Sequence, residues 1–173
     1  MKVYLVRHTA VGCPSGMCYG QTDVPLKETF EEEAAVVKKN LSGIIPDAVY
    51  SSPLSRCRRL AAFCGYANPV LDDRLKEIHF GDWETQLWDD MDMSAWEKDW
   101  VHTPAPNGES FMMMYERVAN FFDALKANED YQSVVVFAHG GVISCARVYF
   151  EQADIHRTFE LMPAYGEVVA FAY

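Results

Sequence analysis

A four-residue apolar run, Val3-Tyr4-Leu5-Val6, ends abruptly in Arg7-His8-Thr9. Beyond it lies a loop marked by Gly12, Pro14, Ser15 and Gly16. A short apolar run bounded by turn residues reads as a buried strand, here residues 2–8. A buried strand that stops at Arg-His delivers two phosphate-competent side chains to its C-terminal end. Open α/β sheets hold their ligands at that end.

The rest of the chain alternates between strand and helix patterns. Residues 26–41 carry Phe30, Ala34, Val37 and Leu41 at helical spacing, with Glu31 and Glu32 early and Lys38 and Lys39 late, as the helix dipole favours. Residues 48–51 read as a second strand. Ser52 is expected as the N-cap and Pro53 as the first residue of a helix running to about Cys64. Residues 69–72 form a short third strand. Residues 78–106 are aromatic and irregular, with Trp83, Trp88, Trp96 and Trp100, and read as a lobe or lid over the sheet edge. Such a lobe is expected to be its own small core ahead of a stacking surface. Ser110 is expected to cap a helix over 111–126. Val134-Val135-Val136-Phe137-Ala138 is the clearest strand, and His139-Gly140-Gly141 leads from it into a helix over 142–150. Residues 166–171 form the last strand. No repeat or linker divides the chain, so residues 1–173 are expected to form a single domain.

Strands alternating with helices imply an α/β fold with a mostly parallel central sheet and helices on both faces. His8, Arg56, Glu77 and His139 each follow a different strand. They are therefore expected along one sheet edge, within reach of one pocket.

Half of the residues are hydrophobic, which supports a substantial core, and the net charge is −10. That charge argues against broad contact with nucleic acid or an anionic membrane, which needs a basic face. It leaves room for a local basic pocket. No basic leader precedes an apolar segment, and no stretch reaches membrane-spanning length, so a cytoplasmic location is expected. The five cysteines are odd in number and lack zinc-ligand spacing, so reduced thiols are expected. Nothing in the sequence reports an oligomeric state.

Two histidines and two arginines at one edge suit a tetrahedral dianion, because arginine donates to phosphate oxygens in a planar, bidentate manner. The glycines after His139 open a helix N-terminus, a natural anion site. No acidic cluster suggests a magnesium cage, so Arg7 and Arg56 are expected to neutralise the phosphate. A neutral imidazole can attack phosphorus, provided a hydrogen bond fixes the proton on its other nitrogen. A carboxylic acid must then protonate the leaving oxygen and later activate water. Chain order favours Glu77 for this, with Glu84 second.

The ordered set Arg7-His8-Thr9, Ser51-Ser52-Pro53-Leu54-Ser55-Arg56, Leu75-Lys76-Glu77 with Phe80-Gly81-Asp82-Trp83-Glu84, Gly108-Glu109-Ser110 and Ala138-His139-Gly140-Gly141 spans nearly the whole chain. It resembles the histidine phosphatase superfamily in its phosphoglycerate-mutase-like branch. The stretches Cys18–Leu26 and Ser55–Ala61 are most similar to the α-ribazole phosphatases of cobalamin synthesis. The resemblance implies a three-layer α/β/α sandwich. It implies His8 as a nucleophile phosphorylated on Nε2, Arg7, Arg56 and His139 as holders of the phosphoryl group, and Glu77 as proton donor and acceptor. Gly20 and Gln21 would sit at the substrate mouth, and Thr9 and Gly140 beside the two histidines complete the substrate-binding set. Neither metal nor cofactor is implied. Thr9 and Thr85 stand where many members have glycine.

The function implied is a phosphomonoesterase working through phosphohistidine on a small phosphorylated substrate, with α-ribazole 5′-phosphate first. A broad-specificity phosphatase, a phosphoglycerate-mutase-like enzyme, a protein phosphatase and a non-catalytic phosphate-binding module are the alternatives.

Overall fold

The computed structural model describes residues 1–173. In chain order the elements are β1 (Lys2–Arg7), α1 (Phe30–Asn40), β2 (Ala48–Ser51), α2 (Ser55–Phe63), β3 (Val70–Leu71), α3 (Ser94–Lys98), α4 (Phe111–Lys126), β4 (Ser133–Ala138), α5 (Gly140–Glu151) and β5 (Val168–Ala172). Short 3₁₀ turns fill much of 73–90. The strands form one sheet in the order β3-β2-β4-β1-β5, parallel except for β5.

Period-two alternation in the central strands builds two cores, one on each face. Val3 and Leu5 of β1, with Val134, Val136 and Ala138 of β4, pack against α4 and α5. Val6 of β1, with Val135 and Phe137 of β4, packs against α1 and α2. Each of these side chains is fully buried, which contributes about 1.5–3 kcal/mol for residues of the Val, Leu and Phe type. The result is three layers, helices over sheet over helices.

Several boundaries move for local reasons. Helix α1 begins at Phe30 rather than near Leu26, because residues 25–27 are paired back onto the first loop. Gly12 N–H donates to the Pro25 carbonyl at 2.8 Å and Lys27 N–H to that of Ala10 at 3.2 Å. Helix α2 begins at Ser55, not at Pro53. Its first turn is capped from outside: the Asp23 carboxylate accepts from both Ser55 N–H, at 2.9 Å, and the Ser55 hydroxyl, at 2.7 Å. Among backbone N–H groups, the Ser52 hydroxyl accepts only from that of Leu54, at 3.3 Å, one residue ahead of the helix. Ser110 does cap α4, accepting from Met113 N–H. Helix α5 starts at Gly140, so both glycines lie in its first turn and His139 is its N-cap residue. Thr85 has a φ of 72°, the left-handed region that favours glycine, and its N–H donates to the Cys18 carbonyl.

Topology now fixes where a ligand belongs. Adjacent strands β1 and β4 are parallel, with Arg7 opposite Ala138. The chain leaves β1 toward α1 on one face and leaves β4 into α5 on the other. Diverging connections open a crevice beyond the strand ends. The next residue on each strand, His8 and His139, lies in it.

Candidate active site

The register of β1 and β4 brings the two imidazoles together, with ring centroids 5.2 Å apart. Both are buried. His8 Nδ1 lies 2.8 Å from the Thr9 carbonyl oxygen. A carbonyl only accepts, so Nδ1 carries the proton and Nε2 keeps its lone pair. On His139 the assignment is reversed. Arg56 Nε donates to Nδ1 at 3.3 Å, so Nε2 carries the proton and donates to the Ser52 hydroxyl at 2.8 Å.

Arg56 is completely buried beside them. Its terminal nitrogens donate to the Gly20 and Thr22 carbonyls at 2.6 and 2.9 Å. Arg7 donates to the Pro163 carbonyl, and the Tyr165 ring covers its guanidinium at 4.1 Å. Its Nε is buried without a partner. Neither arginine is in a salt bridge, although six others form in the molecule. An uncompensated buried charge costs several kcal/mol, and an anion between these groups relieves it.

Burial, followed by the Arg56 charge, lowers the pKa of His8 to about 3. The same causes, in the same order, hold His139 well below its ordinary value. Both rings are therefore neutral at pH 7. The unfolded chain takes up these protons below about pH 6.5, while the folded state refuses them. Stability is then full above pH 6.5 and declines as pH falls, by about 1.4 kcal/mol per pH unit for each histidine, with the His8 contribution gone near pH 3. Urea unfolding between pH 7 and 5, above the carboxylate range, is expected to show this decline. A flat profile there would contradict buried neutral histidines.

Glu77 completes the polar side. Its Oε2 accepts from Gly141 N–H at 3.1 Å and its Oε1 from Ile78 N–H at 3.0 Å. A Cβ on Gly141 would collide with this carboxylate and push it aside, so glycine there keeps Glu77 in place. Glu84 does other work. Its carboxylate accepts from Gln21 N–H, Thr22 N–H, the Thr22 hydroxyl and Phe80 N–H. Burial pushes this carboxyl up, but those hydrogen bonds outweigh it and hold it below its ordinary value. Glu84 and Arg56 thus clamp residues 20–22 from two sides.

Arg7, His8 and Glu77 line one cavity of about 190 Å³. Arg56 and His139 adjoin it through His8. Thr9 is fully buried, with its hydroxyl unpartnered. Gly20 and Gln21 stand behind Glu77, with the Gln21 amide donating to the Glu77 carbonyl at 3.1 Å. A Cβ on Gly20 would strike the Ile78 carbonyl. Gly140 faces Arg7 and Met162, where a side chain would crowd the guanidinium.

The opposite wall is apolar: Tyr19, Phe80, Trp88, Phe111, Phe159 and Met162 all reach the cavity. Trp88 meets Phe80 edge to face at 5.1 Å. Trp83, Trp96 and Trp100 instead join an aromatic cluster with Phe111 and Phe159. Tyr19 and Tyr165 share a hydroxyl–hydroxyl hydrogen bond of 2.7 Å over the two arginines. Sequence reading gave no site role to Tyr165, Phe159, Met162 or Arg117. Residues 152–165 carry no periodicity that marks them. Tyr19 is legible in the sequence, because it sits inside the Cys18–Leu26 stretch that resembles the α-ribazole phosphatases. No group of three or more His, Cys, Asp or Glu is arranged to hold a metal ion. No helix is long and apolar enough to cross a membrane.

An α/β sheet whose crevice joins unpaired arginines, neutral histidines and a carboxylate defines a phosphoric monoester hydrolase. The model of the histidine phosphatase superfamily (branch 1) matches residues 3–173. The chain belongs to that superfamily. It is 32% identical over 160 residues to an adenosylcobalamin/alpha-ribazole phosphatase of Escherichia coli, covering 83% of this chain and 76% of that protein. It is 31% identical over 150 residues to phosphoserine phosphatase 1 of Hydrogenobacter thermophilus, covering 80% of this chain and 71% of that protein. The crystal structure of the alpha-ribazole phosphatase from Shigella flexneri superposes with a TM-score of 0.88 at 26% identity, over 98% of this chain and 89% of the other.

Proposed function

We propose that this enzyme hydrolyses α-ribazole 5′-phosphate through a phosphohistidine on His8. The observation that carries the substrate choice is the apolar wall beside the phosphate cradle. Related phosphatases are named for α-ribazole and for phosphoserine. An amino acid or a hydroxyl-rich leaving group loses water at Phe80, Trp88 and Phe159 and gains no hydrogen bonds in return. A flat benzimidazole gains apolar burial and edge contacts there.

The chemistry proceeds in two steps. Arg7 and Arg56 hold the phosphoryl oxygens, His139 joins them by turning its Nε2–H from the Ser52 hydroxyl to the phosphate, and Thr9 and Gly140 keep the backbone close around them. The Nε2 lone pair of His8 attacks phosphorus while the ester P–O bond breaks. The leaving oxygen takes a proton from the Glu77 carboxylic acid. The Thr9 carbonyl, bonded to Nδ1–H, stabilises the positive charge that builds on the ring. Glu77, now a carboxylate, then takes a proton from water as the water oxygen attacks phosphorus. The P–N bond breaks, its electron pair returns to Nε2, and phosphate leaves. Gln21 supports the mouth through the Glu77 carbonyl and Gly20 through its close approach to Ile78, and residues 78–106 form the lid of a single domain. The five unpaired cysteines suit a reducing cytoplasm.

The test is kcat/KM on α-ribazole 5′-phosphate against O-phosphoserine and 3-phosphoglycerate. A preference of about 10²-fold for the first is expected from pocket discrimination. Trp88→Ala is expected to lower the α-ribazole 5′-phosphate value by about 3–10-fold, the worth of an aromatic contact, and to leave phosphoserine nearly unchanged. A flat profile across the three esters overturns the substrate assignment and leaves a broad-specificity phosphatase.

A further inference from the structure

Arg117 lies on α4, outside the cavity, and spends its whole guanidinium on the loop that carries Glu77. Its Nε donates to Glu109 Oε1 at 2.8 Å and one Nη2 hydrogen to Glu109 Oε2 at 2.8 Å. Its Nη1 donates to the carbonyls of Arg74, at 2.8 Å, and Lys76, at 2.7 Å. The remaining Nη2 hydrogen goes to the Glu77 carbonyl at 3.0 Å. Arginine has five N–H donors, and all of them are used. Three of the five acceptors are backbone carbonyls between residues 74 and 77.

Glu109 extends the clamp past Glu77. Its Oε2 also accepts from His79 N–H at 2.9 Å, and its own N–H donates to the His79 carbonyl at 2.7 Å. The backbone is therefore held at residues 74, 76, 77 and 79, on both sides of the glutamate. The turn before Glu109 lies tight against this segment, since a Cβ on Gly108 would collide with the His79 carbonyl. Both partners of the ion pair are largely shielded, with side-chain exposures of 19% and 18%. The other ion pairs of the molecule lack this arrangement: Arg74–Asp72 closes a turn, and the rest are i,i+3 or i,i+4 pairs along the chain.

Glu77 itself is in no salt bridge. Its carboxylate touches only the N–H groups of Ile78 and Gly141. Its direction into the cavity thus depends on where its own backbone is pinned. A displacement of about 1 Å in such a group costs on the order of 10²-fold in rate.

We propose that Arg117 is a positioning residue, which aims the Glu77 carboxyl at the reacting ester oxygen by pinning residues 74–79 through its five N–H groups. This rests on the acid–base role proposed for Glu77. Lysine cannot replace the fork, because it has three donors on one atom.

The experiment is a double-mutant cycle on the purified enzyme with R117K, E77Q and the double variant, backed by E109Q should R117K fail to fold. Phosphoenzyme formation is followed by rapid quench with p-nitrophenyl phosphate, whose leaving group needs no acid, and with α-ribazole 5′-phosphate, whose leaving group does. R117K is expected to slow the α-ribazole ester by about 10–10²-fold and to spare the p-nitrophenol burst. In the E77Q background it is expected to cost nothing further. Equal losses on both esters, an additive effect in the double variant, or no effect of R117K or E109Q would overturn the positioning role. If E77Q alone leaves the α-ribazole ester unaffected, the acid–base reading of Glu77 is what fails, and the cycle shows it separately.

Discussion

His8→Ala is expected to abolish turnover, with a loss on the order of 10⁴–10⁶-fold in kcat, as when a covalent nucleophile is removed from a hydrolase. The expectation follows from the bonding of the two rings. On His8 the Thr9 carbonyl takes the Nδ1 proton and leaves Nε2 with a lone pair. On His139 both nitrogens are engaged, with Arg56 and Ser52. Cys57 lies 3.5 Å from His139 Nε2, but burial pushes its thiol well up and keeps it protonated. No second nucleophile stands ready beside the arginines. Rapid quench of the unaltered enzyme is expected to trap a phosphoenzyme that acid destroys and base spares, and the variant is expected to trap none. Because Arg7, Arg56 and His139 remain, the variant is expected to keep binding inorganic phosphate. Appreciable turnover by the folded variant would remove His8 from the nucleophile role.

Glu77→Gln is expected to lower the rate on α-ribazole 5′-phosphate by about 10²–10⁴-fold, the usual worth of a general acid or base. Glutamine keeps the shape and its carbonyl can still accept from Gly141 N–H, so the fold is expected to survive. The amide holds no transferable proton, so loss of rate isolates the proton transfer. The loss is expected to grow with the basicity of the leaving oxygen. With p-nitrophenyl phosphate the first step survives and the phosphoenzyme accumulates, because water then lacks its base. An unchanged rate on the alkyl ester would exclude Glu77. Glu84 is poorly placed to take over, since four donors from residues 21, 22 and 80 already occupy its carboxylate.

Glu84 also marks the boundary between what residue order conveys and what it does not. Along the chain Glu77 and Glu84 look alike, two glutamates flanking an aromatic turn. Chain order only ranks Glu77 first; folding supplies the physical separation, by turning one toward Gly141 and the other toward the Gly20–Thr22 backbone. Ser52 behaves in the same way. Its position before a proline suggested a helix cap, yet Asp23 from the first loop caps α2 and the Ser52 hydroxyl accepts a hydrogen bond from His139 Nε2–H. Capping is a local property until a distant carboxylate competes for the same N–H.

The sequence by itself determined the alternation of strands and helices, the two-faced burial of β1 and β4, and the delivery of His8 and His139 to strand ends. These depend on periodicity and on turn residues, which act over a few positions. The direction of β5 was different. Helix α5 carries the chain away from the C-terminal edge of the sheet, and residues 152–167 bring it back, where Gly166 N–H meets the His8 carbonyl at 3.2 Å. From there β5 can only run down beside β1, antiparallel. That return path lays Phe159 and Met162 against the cavity and Tyr165 over the Arg7 guanidinium. Only the tertiary structure decided this wall, and with it the fit to an apolar leaving group, because its residues come from separate segments with no common period. The clamp of Arg117 on residues 74–77 was hidden for the same reason. Apart from those to Glu109, each of its bonds joins groups some 40 residues apart, and no local pattern records a contact made across that distance.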